Sequence, residues 1–356
     1  MTQTKAITKT FNAQPLAVVN QIMKAAGQAA NMAAAARAFT SALAGRADNT
    51  TRRKRADLAL FESYLQSAGV PAGDLYSNPA AWHGVTWGIV EGFKVWMLQQ
   101  GYAMASINGR LSTVRNHAGL ANKAGAIDDT EARMIASVKG YTHKEARNID
   151  AKRNDDGMQT RKGSKKSEAV NIPEDIAAAM IAQPSTPQGR RDSLLMCLLL
   201  EHGMRVSEVA LLTIKAFDLK ANTITFYRPK VDITQTHTMT PATRKAAAAY
   251  IAKDAPAAGI IWRKSHKGTA ALSGQLSETS ATRALTKRVE LLGRKAGVMG
   301  LSAHDARHYW ATYEANAGTA VNRLMDAGGW NSPAMPLRYI ARAEIANAGT
   351  ARIEKK

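Results

Sequence analysis

Cysteine is almost missing from this sequence: Cys197 is the only one in 356 residues. One thiol excludes an internal disulfide and any Cys-rich zinc site. Its setting, DSLLMCLLLEHG, is that of a buried structural thiol rather than a reactive one. Long apolar runs are missing too. No stretch approaches the roughly 20 apolar residues of a membrane-spanning helix. The opening MTQTKAITKTFNAQ lacks the apolar centre of a secretion signal. These absences point to a protein of the cytoplasm with no membrane partner. Acidic residues are scarce: Asp and Glu number 28 against 48 Lys and Arg, a formal net charge of +20. Such an excess favours a polyanionic partner, with nucleic acid first and an anionic membrane surface second. No Walker-type phosphate loop is found, so no ATP chemistry is expected. No carboxylate cluster has metal-ligand spacing, which weighs against a metal-dependent nuclease. Neither a cofactor nor a metal is expected.

What is present is enough apolar material, 45% of residues, to build sizeable cores. The length allows two domains and a small appendage. Residues 14–47 are Ala-rich, with Val18, Val19, Ile22 and Met23 on a helical stripe, and GRADN at 45–49 interrupts them. Residues 1–48 are thus expected to form a helical extension. Residues 49–143 read as a run of helices. The first is capped by Asn49 or Thr50 and carries Leu58, Phe61 and Leu65. A second spans roughly 84–100 with Trp87, Val90, Phe93 and Met97, ending at Gly101, and a third spans roughly 104–124 with Ile107, Leu111, Val114 and Ala118. A short fourth follows Asp129. Residues 144–171 read as a mobile basic linker poor in large apolar side chains. Residues 172–356 form a second domain. It has helices from Glu174 and over 191–202, then a strand pair, TITFYR at 223–228 and THTMTP at 236–241, then helices to the end.

Charged residues mark several of these elements. Arg52, Arg53, Lys54 and Arg55 open the first helix of the 49–143 region, where four cations oppose the helix dipole and an external phosphate would reverse the sign. Arg110 and Arg115 lie off the apolar stripe of the third helix, as groove contacts or as a solvated face. In LSAHDARHYW, Ser302 caps a helix with Asp305 as its capping-box partner. His304 and Arg307 then share one face, and Asp305 and His308 project elsewhere. A helix N-terminus with a His and an Arg on one face is an anion site. Arg205, in EHGMRVSE, starts another helix, where its fork can grip a phosphate or pair with Glu208. Lys230 sits in the turn of the strand pair. Near the end, Gly328 and Gly329 close a helix, Trp330 follows, and Ser332 and Pro333 open a short helix bearing Tyr339.

In this order the residues resemble the tyrosine recombinase (phage integrase) family. GMRVSEVALLTIKAFDL is similar to its first-arginine box and LSAHDARHYWATYEANAG to its His-x-x-Arg box. Gly-Gly-Trp with a tyrosine nine residues later is similar to its closing box. NTTRRKRADLALFESYL and ASINGRLSTVRNHAGLANKAG are similar to helices of its core-binding domain, so the resemblance covers about 49–356. It implies a mainly α fold with a small antiparallel β-sheet, made of an N-terminal helical core-binding domain and a catalytic domain. It also implies a site-specific recombinase that cuts and rejoins duplex DNA through a 3′-phosphotyrosine, without metal or ATP. Tyr339 would be the nucleophile and Arg205 and Arg307 the phosphate clamp. Lys230 would serve the leaving oxygen and His304 the tyrosine proton. Trp330 would be an N–H donor to the phosphate, and Glu208 a supporting acid. The family further implies a homo-tetramer on paired DNA sites, assembled through the tail after Tyr339, and a place at the nucleoid.

The hairpin after Lys230 departs from the family in having few basic residues. Lys215 and Lys220 are poorer candidates because neither sits at a strand turn, and Tyr309 and Tyr313 follow the His-x-x-Arg box too closely to reach the same phosphate. Two rival readings use the same residues: a monomeric type IB topoisomerase, and a DNA-binding protein of this fold without cleavage.

Overall fold

The computed structural model describes residues 16–157, 169–266 and 268–343. The chain divides between Lys166 and Ser167 into two compact units. Among the described residues, no helix is long and apolar enough to cross a membrane.

The first unit is helical: α1 (Leu16–Ala44), α2 (Asp48–Ser67), α3 (Trp87–Gln99), α4 (Met104–Lys123), α5 (Asp129–Ser137) and α6 (His143–Asp155). Helix α4 is its axis and packs against α1, α2, α3 and α5. Its apolar stripe, Ile107, Leu111, Val114 and Ala118, closes a core with Leu58, Phe61 and Leu65 of α2 and Val90, Phe93 and Met97 of α3. Burial of such side chains stabilises by about 1.5–3 kcal/mol each, which holds the bundle without cross-links. Local chemistry sets the helix ends. The Thr86 hydroxyl accepts from the Ile89 N–H at 3.4 Å to start α3, and the Asp128 carboxylate accepts from Thr130 and Glu131, both at 2.9 Å, to start α5.

Several expectations fail here. Helix α2 starts at Asp48, ahead of Asn49 and Thr50, on Ala47 with no side-chain cap. Asp48 supplies the first-turn negative charge, and the four cations fall one turn further in. Trp87 is exposed, because it is the first residue of α3 and precedes the packed face. Ile22 and Met23 are exposed as well; α1 docks through its last turns, where Phe39 is buried. The basic stretch read as a linker begins with an ordered helix, α6. It is pinned by Arg153, whose guanidinium donates to the Tyr102 carbonyl at 3.0 Å and to the Leu98 carbonyl. Residues 158–168 of that stretch lie outside the described residues.

The second unit holds α7 (Glu174–Ile181), α8 (Pro187–Leu200), α9 (Val206–Ala210), β1 (Phe217–Asp218), β2 (Thr223–Arg228), β3 (Ile233–Thr238) and α10 (Pro241–Lys253). Then follow β4 (Arg263–Ser265), β5 (Leu272–Gln275), α11 (Glu278–Lys295), α12 (Ala303–Asn316), α13 (Val321–Gly328) and α14 (Ala334–Ala343). Helix α8 is buried all round from Leu194 to Leu200 and is gripped by α7, α9, α10 and α12. Its thiol, Cys197, is pushed far up by desolvation, as expected of a structural cysteine. Strands β1, β2 and β3 form an antiparallel sheet in that order, with Arg228 opposite Ile233 and Phe226 opposite Gln235.

Strand β3 begins three residues before its expected start. Asp232 takes a left-handed φ of 53°, which closes the hairpin in the four residues 229–232. The strand ends early because Thr240 caps α10, accepting from the Thr243 N–H at 3.0 Å, with Pro241 in its first turn. The β4–β5 hairpin was not expected at all. Its strands, RKS and LSGQ, have no apolar alternation, and its register is set by neighbours such as the Leu276 N–H donating to the Trp262 carbonyl at 2.9 Å.

Candidate active site

Four elements of the second unit converge on one cluster. Helix α9 supplies Arg205 and Glu208, α12 supplies His304, Arg307 and His308, the end of α13 supplies a row of carbonyls, and α14 supplies Tyr339. Arg205 is the N-cap residue of α9 and Glu208 its third residue. One Glu208 oxygen accepts from the Arg205 side chain at 2.7 Å and the other from the Arg205 backbone N–H at 2.8 Å. The acid is buried and Arg205 half-buried, so one face of its fork stays open.

Arg307 lies one turn into α12 and is only 2% exposed. It donates to the Gly203 carbonyl at 2.6 Å and to the Gly328 carbonyl, and its guanidinium lies 4.4 Å above the Trp330 ring. Burial, then the neighbouring Arg205 and Arg228, pull its pKa down to about 9. It stays charged at neutral pH. The helix it belongs to is capped as expected, the Asp305 carboxylate accepting from the Ser302 N–H at 2.7 Å; Asp305 also accepts from the Val170 N–H at 3.0 Å.

Glycine makes the row of carbonyls possible. Gly329 ends α13 at a left-handed φ of 59°, and a Cβ there would lie 2.7 Å from the Arg228 side chain. The carbonyls of Ala327, Gly328 and Gly329 accept from three different arginines: Arg228 at 2.6 Å, Arg307, and Arg205 at 3.5 Å. Cations at a helix C-terminus satisfy its orphan carbonyls and oppose its negative dipole end. Of the three guanidiniums, Arg205 and Arg228 pair with the one buried carboxylate, Glu208, and Arg307 bonds carbonyls alone, while Asp326 stands exposed at the rim. The cluster therefore carries a positive excess suited to an anion.

Tyr339 is 2% exposed. Its ring meets Trp330 at 5.6 Å and His308 at 5.0 Å, and His308 in turn meets His304 edge-on at 4.6 Å. His308 thus faces the tyrosine instead of projecting elsewhere. The α12–α14 packing decides that orientation, and helical spacing alone does not. Tyr309 and Tyr313 stack on each other 6.1 Å apart, and both line a separate cavity with Glu174 and Ala177.

Lys230 is the outlier. It sits in the 229–232 turn and is exposed, and among the described residues no hydrogen bond or ion pair ties it to the cluster. Arg228, which no sequence feature singled out, lies fully buried in the cluster two residues before it. Among the described residues no group of three or more His, Cys, Asp or Glu is placed to hold a metal ion.

In the first unit, Arg52, Arg53 and Arg55 are exposed on α2 and Lys54 is half-buried. Arg110 and Arg115 are tied inward: Arg110 lies 4.6 Å above the Tyr102 ring and 3.8 Å from Asp57, and Arg115 donates to the Val138 carbonyl at 2.8 Å.

Residues 171–344 match the model of the phage integrase family. This region belongs to that family. The integrase fold is also seen in solved structures. The Tn1549 transposon integrase, in complex with circular intermediate DNA, is 15% identical with a TM-score of 0.57, covering 86% of this chain and 94% of that one. The lambda integrase dimer bound to a core site is 15% identical with a TM-score of 0.56, covering 90% and 96%. The XerH recombinase bound to a palindromic difH substrate is 18% identical with a TM-score of 0.54, covering 82% and 76%. A search of curated proteins gives no match. The fold is mainly helical with small antiparallel sheets, as the tyrosine recombinase resemblance implied.

Proposed function

We propose that the chain is a site-specific DNA recombinase that cuts and rejoins strands through Tyr339. The observation that carries this reading is the meeting of Arg205, Arg307, Trp330 and Tyr339 at the end of α13. The phenol oxygen attacks phosphorus, a 3′-phosphotyrosine forms, and the 5′-oxygen leaves with a proton. Arg205 and Arg307 neutralise the non-bridging oxygens of the crowded phosphorane. His304 takes the tyrosine proton, with His308 between them in the packing, and Lys230 protonates the leaving oxygen. Trp330 donates its N–H to the phosphate. The bond energy is kept in the phosphotyrosine, so rejoining needs no ATP. Two rearrangements are required: α14 must turn Tyr339 outward, and the 229–232 turn must bring Lys230 to the DNA. The working unit is a homo-tetramer on two DNA sites, joined through residues 344–356, which lie outside the described residues. The DNA complexes of the Tn1549 and lambda integrases support a duplex DNA partner, and the surplus of cations in this chain supports it independently.

The test is adduct formation on a nicked duplex, whose short cut piece diffuses away and traps the intermediate. Wild-type protein forms a covalent adduct in excess chelator, and Tyr339→Phe binds the same DNA and forms none. An adduct at wild-type level in that variant would move the nucleophile to another tyrosine. The chain ending at 343 binds one site normally and assembles two sites poorly on a native gel; full two-site assembly would reject the tail's role.

A further inference from the structure

Arg228 is the last residue of β2 and is 0% exposed. Burying a guanidinium costs several kcal/mol unless it is paired and hydrogen-bonded. Here all three nitrogens are used. Nε donates to the Gln235 side chain on β3, Nη1 to a Glu208 oxygen at 2.9 Å, and Nη2 to the Ala327 carbonyl at 2.6 Å. Gln235 repeats the link, its amide donating to the Asp326 carbonyl at 2.7 Å. The side chain therefore joins α9, the β2–β3 hairpin and the end of α13, which are far apart in sequence. A salt bridge serving stability alone is replaceable by apolar packing at little cost. This one shares its carboxylate with Arg205 and its helix end with Arg205 and Arg307.

We propose that Arg228 is a positioning residue for strand cleavage, setting Arg205 through Glu208 and the Trp330 turn through the Ala327 carbonyl. The inference rests on the reading of Arg205 as a phosphate ligand. Losing Arg228 would act in two places. Glu208, left with Arg205 as its one cation, holds that fork more tightly and neutralises it. The turn from Ala327 to Trp330 loses one of its three guanidinium anchors.

The experiment measures single-turnover cleavage of nicked duplex at saturating DNA, with affinity and melting temperature beside it. Arg228→Met is expected to cut about 100-fold more slowly, the scale of one lost electrostatic donor, while binding DNA within about threefold of wild type. Arg228→Lys keeps the charge without the fork and is expected to fall between the two. Gln235→Leu frees Nε and the Asp326 carbonyl but leaves the Glu208 and Ala327 bonds, and is expected to show a smaller loss; it and Arg228→Lys carry the test if Arg228→Met does not fold. The decisive readout is a double-mutant cycle. With Arg205→Ala already in place, removing Arg228 is expected to cost clearly less than it does alone, because the part that acts through Arg205 is already lost and only the Trp330 turn is left to disturb. Losses that simply multiply, or wild-type cleavage by Arg228→Lys and Gln235→Leu, would overturn the proposal. Failure of the wild-type protein to form any adduct would overturn the recombinase reading itself, and is seen without any Arg228 variant.

Discussion

The arginines of α2 and those around Glu208 are held in opposite ways. On α2 they stand in water: Arg52 and Arg55 are exposed, and exposed Arg53 reaches Asp57 only loosely at 3.7 Å. Around Glu208, Arg228 and Arg307 are buried, and Arg205 half-buried, with their donors aimed at named carbonyls and a carboxylate. An exposed cation meets a polyanion through a screened field, which gives affinity without geometry. A buried one has given up its hydration already and holds a fixed direction, which is what a developing transition-state charge needs. The two groups of arginines thus differ in burial and in how firmly their direction is held.

The sharpest way to break this contrast is Arg307→Lys, which keeps the charge and loses the fork. We expect cleavage at saturating DNA to drop by about 10²–10³-fold with little change in affinity. A variant that cuts normally but binds weakly would put Arg307 in the affinity class. The converse test replaces Arg52, Arg53 and Arg55 with Ser. Affinity is expected to fall, and the log–log salt slope to flatten by about 0.9 for each phosphate no longer neutralised, with cleavage at saturating DNA unchanged. An unaltered slope would remove α2 from the DNA grip.

The smallest expected effect concerns acid stability. Desolvation pulls His202 down to about 4 and His237 to about 3 in the second unit. Both lie below the unfolded value of about 6.5, so the unfolded chain takes up protons first. The stability they contribute is whole above that value and is lost as pH falls toward 4 and then 3. For His202 the loss is about 3 kcal/mol by pH 4. Thermal melts between pH 7 and 5, above the ordinary carboxylate range, are expected to show a falling transition that His202→Asn flattens. A transition insensitive to pH in that window, or unchanged by His202→Asn, would reject the assignment.

Much of the fold and of the cluster was legible because it is local. Arg205 and Glu208 are three residues apart and cap one helix; His304 and Arg307 share one turn; Trp330 follows a Gly-Gly helix end and Tyr339 a proline helix start. The apolar stripes of α2, α3 and α4 likewise follow a helical period, and the resemblance to the integrase family added their order. What escaped was decided at long range. Arg228 reads as an ordinary strand-end cation until β3, α9 and α13 close over it. The aim of His308 depends on where α14 packs, and Trp87 has the right type for a core position but sits one turn too early. The first half of the expected linker is a helix because Arg153 finds carbonyls some 50 residues away in sequence, at Tyr102 and Leu98. Lys230 shows the opposite limit: its place in a turn was legible, yet the turn leaves it apart from the residues it was expected to join.

The run from Ala327 to Gly329 makes the candidate site sensitive to chain length. Its hydrogen bonds with arginine are all accepted by main-chain oxygen, so they do not depend on which side chain stands at 327. Position 328 has no such freedom, since a Cβ there would lie 2.2 Å from the Trp330 ring. Inserting or deleting a single residue between 324 and 329 would hand every guanidinium the wrong oxygen and swing Trp330 by about 100°, one step of a 3.6-residue turn. The segment acts as a ruler. Its spacing carries the information, and drift in length there would disarm the cluster more surely than most changes of residue type.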